Sequence, residues 1–295
     1  LGGAMAGKKT FCATAGPGNV LMQEPISMAE MMRIPVIWFV QQRGGPSTAT
    51  VIYSQQETRL TCLGGNGEGC RLVYSTSNHQ EVFDYAIKAF NNAWRYRFPT
   101  FVLGDGYQAK MREAVTLYDP EAHGVELQAT SRMLGGAAGD QIQHHRNTFN
   151  IEEELYEILM RHIADWQQMA GEVVEWAYEG DREPDLLLVA HGVVARAVIA
   201  AYQQLKALGH NVAYFRPITL RPFPDEALQR AAAKSRQLLV VESAYGQLLS
   251  MVRDSLYGKT LTPIEGILRP GLGITEEAVV EQAERLLATG REQPC

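Results

Sequence analysis

Cysteine is scarce: Cys12, Cys62, Cys70 and Cys295 are the only four in 295 residues, and no Cys-x-x-Cys pair occurs. That excludes a disulfide framework and leaves no ligand set for a structural zinc or an iron–sulfur cluster on this chain. Positive charge is not in excess either. The 27 Lys and Arg against 33 Asp and Glu give a formal charge of −6, without a long basic run. No nucleic acid partner is therefore expected, since duplex binding needs a concentrated positive face. Long apolar runs are missing. The densest, Ile34 to Val40 and Leu186 to Ala190, fall far short of the roughly 20 residues a bilayer helix needs, so no membrane segment is expected. The first residues, Leu1 to Gly7, have no signal-peptide apolar core and no initiator Met. They read as the inside of a helix running into a strand, and the chain is expected to begin partway through a fold. A reducing cytoplasm is the expected compartment.

What is present is an ordinary globular composition, 46% hydrophobic and 20% charged, over a length that suits about two domains. Short apolar runs alternate with helical periodicity, which predicts α/β architecture with two parallel-sheet domains. In the first 115 residues the strands are Lys9 to Thr14, Ile34 to Val40, Arg71 to Ser75 and Thr100 to Leu103. Ile34 to Val40 shows no alternation, as expected where helices cover both sheet faces. Helices are expected over Met22 to Arg33, with Pro25 in the first turn, and over Asn78 to Tyr96, with Ser77 as cap. Residues 107 to 150 are irregular, with a Gly135-Gly136-Ala137-Ala138-Gly139 run, and read as an inter-domain crossing. Ile151 to Tyr178 reads as one amphipathic helix capped by Asn150, a strap across a domain or subunit surface. A second βαβαβα unit follows Pro184. Its strands are Leu186 to Ala190, Val212 to Phe215 and Leu238 to Val241; its helices are Val193 to Leu208, Pro224 to Ser235 and Tyr245 to Tyr257.

Ligands of open α/β sheets gather beyond the carboxyl ends of strands, so residues there are the site candidates. Gly16-Pro17-Gly18 forms a strand-to-helix bend where backbone can approach a ligand closely and N–H groups favour an anion or polar edge. Arg43, followed by Gly44 and Gly45, ends the strand closing at Val40 and has the form of a carboxylate clamp, or else of an arginine paired with Glu57. Gly64 to Gly69 reads as a flexible loop, Asp105 as a helix cap, His144-His145 as a solvated pair and His191 as core or interface packing. Arg216, Thr219 and Arg221 among prolines could bind an anion or lock a subunit interface; the interface is favoured, and Glu242 is expected to share that role. Spacing alone assembles no nucleophile–base pair, carboxylate pair or metal cluster.

Three stretches taken together resemble one family. They are Ala13-Thr14-Ala15-Gly16-Pro17-Gly18 with Leu21-Met22, Gln42-Arg43-Gly44-Gly45-Pro46-Ser47-Thr48, and Phe215-Arg216-Pro217-Ile218-Thr219-Leu220-Arg221-Pro222-Phe223-Pro224. Val240-Val241-Glu242 followed by Gly246-Gln247 fits as well. The chain from Leu1 to about Leu287 resembles the alpha subunit of 2-oxoacid:ferredoxin oxidoreductases, most of all the branched-chain 2-oxoisovalerate type.

The resemblance implies an N-terminally incomplete thiamine-diphosphate pyrimidine-binding domain over 1–115. A linker and long helix over 116–183 and a transketolase C-terminal-like domain over 184–295 would follow. It implies oxidative decarboxylation of a 2-oxoacid with coenzyme A to acyl-CoA, CO2 and reduced ferredoxin. Thiamine diphosphate and Mg2+ would be shared with a beta subunit, and [4Fe-4S] clusters would sit on beta or small ferredoxin-like subunits. By motif match, Arg43 with Gly44 and Gly45 would bind the substrate carboxylate, and Gly16, Pro17 and Gly18 would line the cofactor's aminopyrimidine. Two departures stand out. The family's Tyr-Pro-x-Thr-Pro stretch and its activating glutamate, both upstream of this region, are absent, and Asn66-Gly67-Glu68 stands where many relatives have His-Gly-Asp/Glu. The alternatives are a beta-type subunit of a lipoamide-linked 2-oxoacid dehydrogenase, which the Arg43-Gly44-Gly45-Pro46 motif disfavours, and a non-catalytic scaffold of the same fold.

Overall fold

The computed structural model describes residues 1–134 and 144–289. The Gly135–Gly139 run lies outside the described residues. The first sheet is ordered β1-β2-β4-β3-β8, from β1 (Phe11–Thr14), β2 (Ile37–Gln42), β3 (Leu72–Ser75), β4 (Thr100–Asp105) and β8 (Thr219–Arg221). All neighbours are parallel except β3 with β8. The second sheet is ordered β10-β9-β6-β7-β5, from β5 (Trp176–Gly180), β6 (Leu186–Val189), β7 (Val212–Pro217), β9 (Leu238–Glu242) and β10 (Ile264–Leu268). It too is parallel apart from the edge pair β5 with β7.

Both sheets are buried on two faces, which is why their strands read as unbroken apolar runs. In the first, Trp38, Val40, Phe101 and Leu103 pack with Ile26 and Ala29 of α3 (Gln23–Met31). Ile37, Leu72, Tyr74 and Val102 pack on the opposite face with Ala89 and Ala93 of α5 (His79–Tyr96) and Met169 of α7 (Glu152–Val173). In the second, α8 (Val194–Ala207) and α11 (Glu276–Thr289) cover one face. On the other lie α9 (Asp225–Ala232) and α10 (Gln247–Leu256). The short helices are α1 (Gly2–Met5), α2 (Pro17–Leu21), α4 (Thr58–Leu63) and α6 (Gly106–Lys110).

Several expected boundaries move. The Met22–Arg33 helix is preceded by a separate turn, α2, because Pro17 starts a helix directly after the Gly16 bend. Asn78, not Ser77, caps α5, its side chain accepting from Glu81 N at 2.8 Å. The strap does not run to Tyr178. It stops at Val173, and Trp176–Gly180 pairs with β7 instead, the carbonyl of Glu175 accepting from Ile218 and Thr219 N–H. The apolar period continues through Ala177, but a free sheet edge overrides it. Ile151, without a side-chain bond, takes the cap position expected for Asn150, while Glu152, Glu153 and Glu154 face the helix's positive end. The described part of the 107–150 stretch reaches the second domain through Glu113, which pairs with Arg196 of α8. It also folds back on the first, with Glu113 at His79, Tyr118 at Asp84 and Met133 N–H on Met5.

Chain and sheet boundaries do not coincide: β8 lies deep in the second unit of the sequence yet completes the first sheet. Among the described residues, no helix is long and apolar enough to cross a membrane.

Candidate functional site

The strand ends of the first sheet converge on one carboxylate. Glu57, 5% exposed, precedes α4. Its Oε1 and Oε2 each accept from Gly16 N–H at 2.9 Å, Oε1 accepts from Asn19 Nδ2 at 3.1 Å, and Oε2 accepts from Arg43 N–H at 2.9 Å. Gln42 backs it, its Oε1 accepting from Glu57 N–H at 3.2 Å and Thr58 Oγ1 at 3.0 Å. One acid thus ties the β1–α2 bend to the β2 end. Glu57 takes the backbone N–H of Arg43, and among the described residues no ion pair joins it to the guanidinium.

The Arg43 side chain lies across Gly16. A Cβ at Gly16 would come within 3.0 Å of Arg43 Cζ and 3.1 Å of Cδ, and closer still to Nε. Gly16 also has φ 55 and ψ −121, a backbone region that L side chains avoid. Both constraints demand glycine. Arg43 Nε is sealed from solvent with no hydrogen-bond partner, and such an orphaned buried donor calls for an acceptor.

The bend itself contributes shape rather than donors. Gly16 N–H goes to Glu57, Gly18 N–H to Ala15 O at 3.2 Å and Asn19 N–H to Gly16 O at 3.0 Å. The anion-binding N–H groups expected there are already spent. Gly44 and Gly45 also differ from each other. A Cβ at Gly44 would strike Thr50, so this glycine lets the loop close. At Gly45 the nearest atom would be Ser47 N at 3.8 Å, leaving space beside Arg43. Gly45 N–H donates to Gln56 Oε1 at 3.1 Å.

The remaining strand-end candidates serve the junction between the sheets. Arg216 grips Glu81 through Nη1 at 2.8 Å and Nη2 at 2.6 Å, and Nη2 also reaches Ser75 O at 3.3 Å. It thereby locks the two sheet domains of this chain together. Thr219 Oγ1 bonds Glu175 O, and Arg221 donates to Gly69 O and Glu68 O. With Arg71, which reaches Gly64 O and Thr61 O, Arg221 fastens the glycine-rich loop that the sequence presents as flexible. Glu242 does not share the junction role; it caps α10 by accepting from Leu248 and Leu249 N–H. Asp105 caps α6, accepting from Gln108 N–H at 2.8 Å, and burial pushes its carboxyl up to about 6.

His191 is wholly buried, its Nδ1 2.8 Å from Ser75 Oγ, and burial first, then the Arg216 charge, pushes its imidazole down to about 3. Gln55, which spacing did not single out, bridges the second sheet by donating to His191 O and accepting from Ser243 N–H. Gln42 opens the Arg43 motif and Glu57 is named in the sequence only as a partner for the guanidinium, whereas Gln55 sits in a polar run without a motif; only the packed contacts show the role of each. Among the described residues no group of three or more His, Cys, Asp or Glu is placed to hold a metal ion.

Residues 1–175 match the family model described as pyruvate flavodoxin/ferredoxin oxidoreductase, thiamine diP-bdg, and 184–275 match pyruvate:ferredoxin oxidoreductase core domain II. A 2-oxoglutarate synthase subunit KorA of Methanocaldococcus jannaschii is 31% identical over 271 residues, covering 84% of this chain and 73% of the relative. A ketoisovalerate oxidoreductase subunit VorB of Methanothermobacter thermautotrophicus is 28% identical over 253 residues, covering 85% and 71%. The solved 2-oxoglutarate:ferredoxin oxidoreductase of Magnetococcus marinus, with 2-oxoglutarate, coenzyme A and succinyl-CoA bound, superposes with a TM-score of 0.82 at 25% identity. That match covers 97% of this chain and 55% of the solved one, so the chain spans little more than half its length.

Proposed function

The chain belongs to the pyruvate flavodoxin/ferredoxin oxidoreductase family, among the alpha subunits of 2-oxoacid:ferredoxin oxidoreductases, and from that premise we propose that it holds the 2-oxoacid during oxidative decarboxylation with coenzyme A to acyl-CoA, CO2 and reduced ferredoxin. The observation that carries this reading is the Arg43 guanidinium laid over Gly16 with Nε buried and unpartnered. A planar, permanently charged fork suits a carboxylate, and the open space at Gly45 leaves room for the rest of a small acid. Glu57 fixes the backbone of Arg43 and Gly16 together, so clamp and bend move as one.

Thiamine diphosphate, which the matched domain's description names, would supply the nucleophilic carbon and electron sink when bound. The residues present fit it as a wall rather than an anchor. Gly16, Pro17 and Gly18 form a bend without a Cβ at its tightest point and with its N–H groups already used. That suits the flat aminopyrimidine side, while diphosphate and Mg2+ fall to the beta subunit. The [4Fe-4S] clusters belong to beta or small ferredoxin-like subunits, and the complex passes electrons to ferredoxin. The described cysteines, Cys12, Cys62 and Cys70, are free thiols, Cys62 pushed up by burial to about 12, and they support a place in a reducing cytoplasm.

The test uses the chain co-purified with its beta subunit. Viologen reduction should require thiamine diphosphate, a 2-oxoacid and coenzyme A together. No reduction with pyruvate, 2-oxoglutarate or 2-oxoisovalerate rejects the reading.

A further inference from the structure

At the other end of β2 from Arg43, a cavity of about 540 Å³ opens between the residues leading into β2 and β4 and the middle of α7. Six strand residues separate the two ends, about 20 Å at the usual strand rise. Four arginines line the cavity, Arg33, Arg97, Arg146 and Arg161, against one acid, Asp165. That acid is already engaged, by Arg33 Nη1 at 2.8 Å.

The arginines differ in what they have left to give. Arg33 spends Nε on Arg97 O and Nη2 on Tyr96 O. Arg97 donates to Ser131 Oγ and lies 4.8 Å from the Trp94 ring centroid, with no acid partner among the described residues, and Arg146 pairs with Glu154. Arg161, exposed, has no hydrogen bond or ion pair among the described residues. His145, which with His144 reads in the sequence as a solvated pair, lines the cavity with Nε2 buried and unpartnered.

The field inside is only partly compensated, since Asp165 answers Arg33 and Glu154 answers Arg146 while Arg97 and Arg161 face no carboxylate among the described residues. His162, another lining residue, is pushed down to about 4 by burial first and then by the Arg33 charge, with Arg161 adding to it and Asp165 opposing. Burial and then Arg33 also lower Arg97 from its ordinary value. Arg33 and Arg97 follow the ends of α3 and α5 at φ 56 and φ 60, a conformation where glycine is the unstrained choice. Two arginines are held where backbone geometry alone favours no side chain. Met133, Phe149 and Ile158 supply an apolar wall.

We propose that this cavity binds a small phosphate-bearing organic anion with at least two negative charges, at a site separate from the 2-oxoacid clamp. The volume lies in the range of small-molecule sites. Guanidinium groups on several sides match phosphate oxygens, and a single carboxylate would leave most of the charge unanswered. A hollow of this volume with arginines on several sides and one apolar wall takes a compact anion, and an acidic protein segment is the alternative that the test separates.

The test is calorimetric titration of the alpha–beta complex with pyrophosphate, ADP and citrate at constant ionic strength. Pyrophosphate and ADP should bind at millimolar concentration or tighter, with citrate at least ten-fold weaker. Arg161→Gln, which breaks no bond among the described residues, should weaken pyrophosphate and ADP about ten-fold. Absence of phosphate binding, citrate as tight as pyrophosphate, or unchanged affinity in Arg161→Gln would each overturn the proposal. So would protection of Arg161 and His162 by a partner's acidic segment in the ligand-free complex. Titration needs no turnover, so failure here leaves the proposed reaction standing, and an inactive complex leaves binding measurable.

Discussion

The strand ends of the two sheets carry the same kinds of residue and put them to opposite uses. Arg43 and Arg216 each have a sealed, unpartnered Nε, but the terminal nitrogens of Arg43, at the first sheet, make no hydrogen bond or ion pair among the described residues. At the second, Arg216 has both terminal nitrogens on Glu81, and Glu242 is consumed by the start of α10. The difference is one of satisfaction. A buried charge with its partners in place holds structure together, whereas one without is kept for something that arrives. Glu57, which binds the Arg43 backbone, is occupied by backbone N–H groups and Asn19.

The largest expected effect tests the satisfied side. Arg216→Met should cost about 3–5 kcal/mol of stability by leaving Glu81 uncompensated, read by urea unfolding. Glu81→Gln added to it should recover much of the loss. A cost below about 1 kcal/mol would put Arg216 in the same class as Arg43. Next comes the unsatisfied side. Arg43→Ala should raise the KM for the 2-oxoacid about 100-fold, ~3 kcal/mol of lost charged hydrogen bonding, while urea unfolding stays unchanged. An unchanged KM removes Arg43 from the site.

Gly16→Ala should blur the two classes, lowering stability by about 1–3 kcal/mol through backbone strain and raising KM because the new Cβ displaces Arg43. Separate loss of stability without any change in KM would show that the bend does not position the clamp. The smallest effect at neutral pH, growing only as pH falls, concerns His191. Its imidazole titrates near 6.5 when unfolded but at about 3 when folded, so the unfolded state takes up the proton first as pH falls. Its contribution is intact above about 6.5 and drains toward about 3, at most ~1.4 kcal/mol per pH unit. His191→Gln should flatten the acid limb of the stability profile; an unaltered slope would mean that His191 is not held neutral.

Much of the fold is legible in local pattern. Ile34 to Val40 and Leu186 to Ala190 announce buried parallel strands because a two-faced strand needs apolar residues at every position. The pattern misleads where tertiary pairing competes with it, as at Trp176–Gly180, where helical periodicity yields to a sheet edge. It is silent on β8, three residues that gain their partner across domains. Ile264–Leu268 and Glu276–Thr289 complete the second layer without having been marked in advance.

Of the site, Arg43 and the Gly16–Gly18 bend could be nominated from residue type and place along the chain. Their contact, the hub at Glu57 and the sealed donor could not. Side-chain period and turn chemistry are properties of neighbours in sequence, so the chain alone determined that two layered sheets form and that polar groups collect at their ends. Which of those groups ends with a partner depends on atoms far apart along the chain, such as Arg216 and Glu81, brought within 2.6 Å. Only the packed structure decides that, because hydrogen bonding and desolvation act through distance in space.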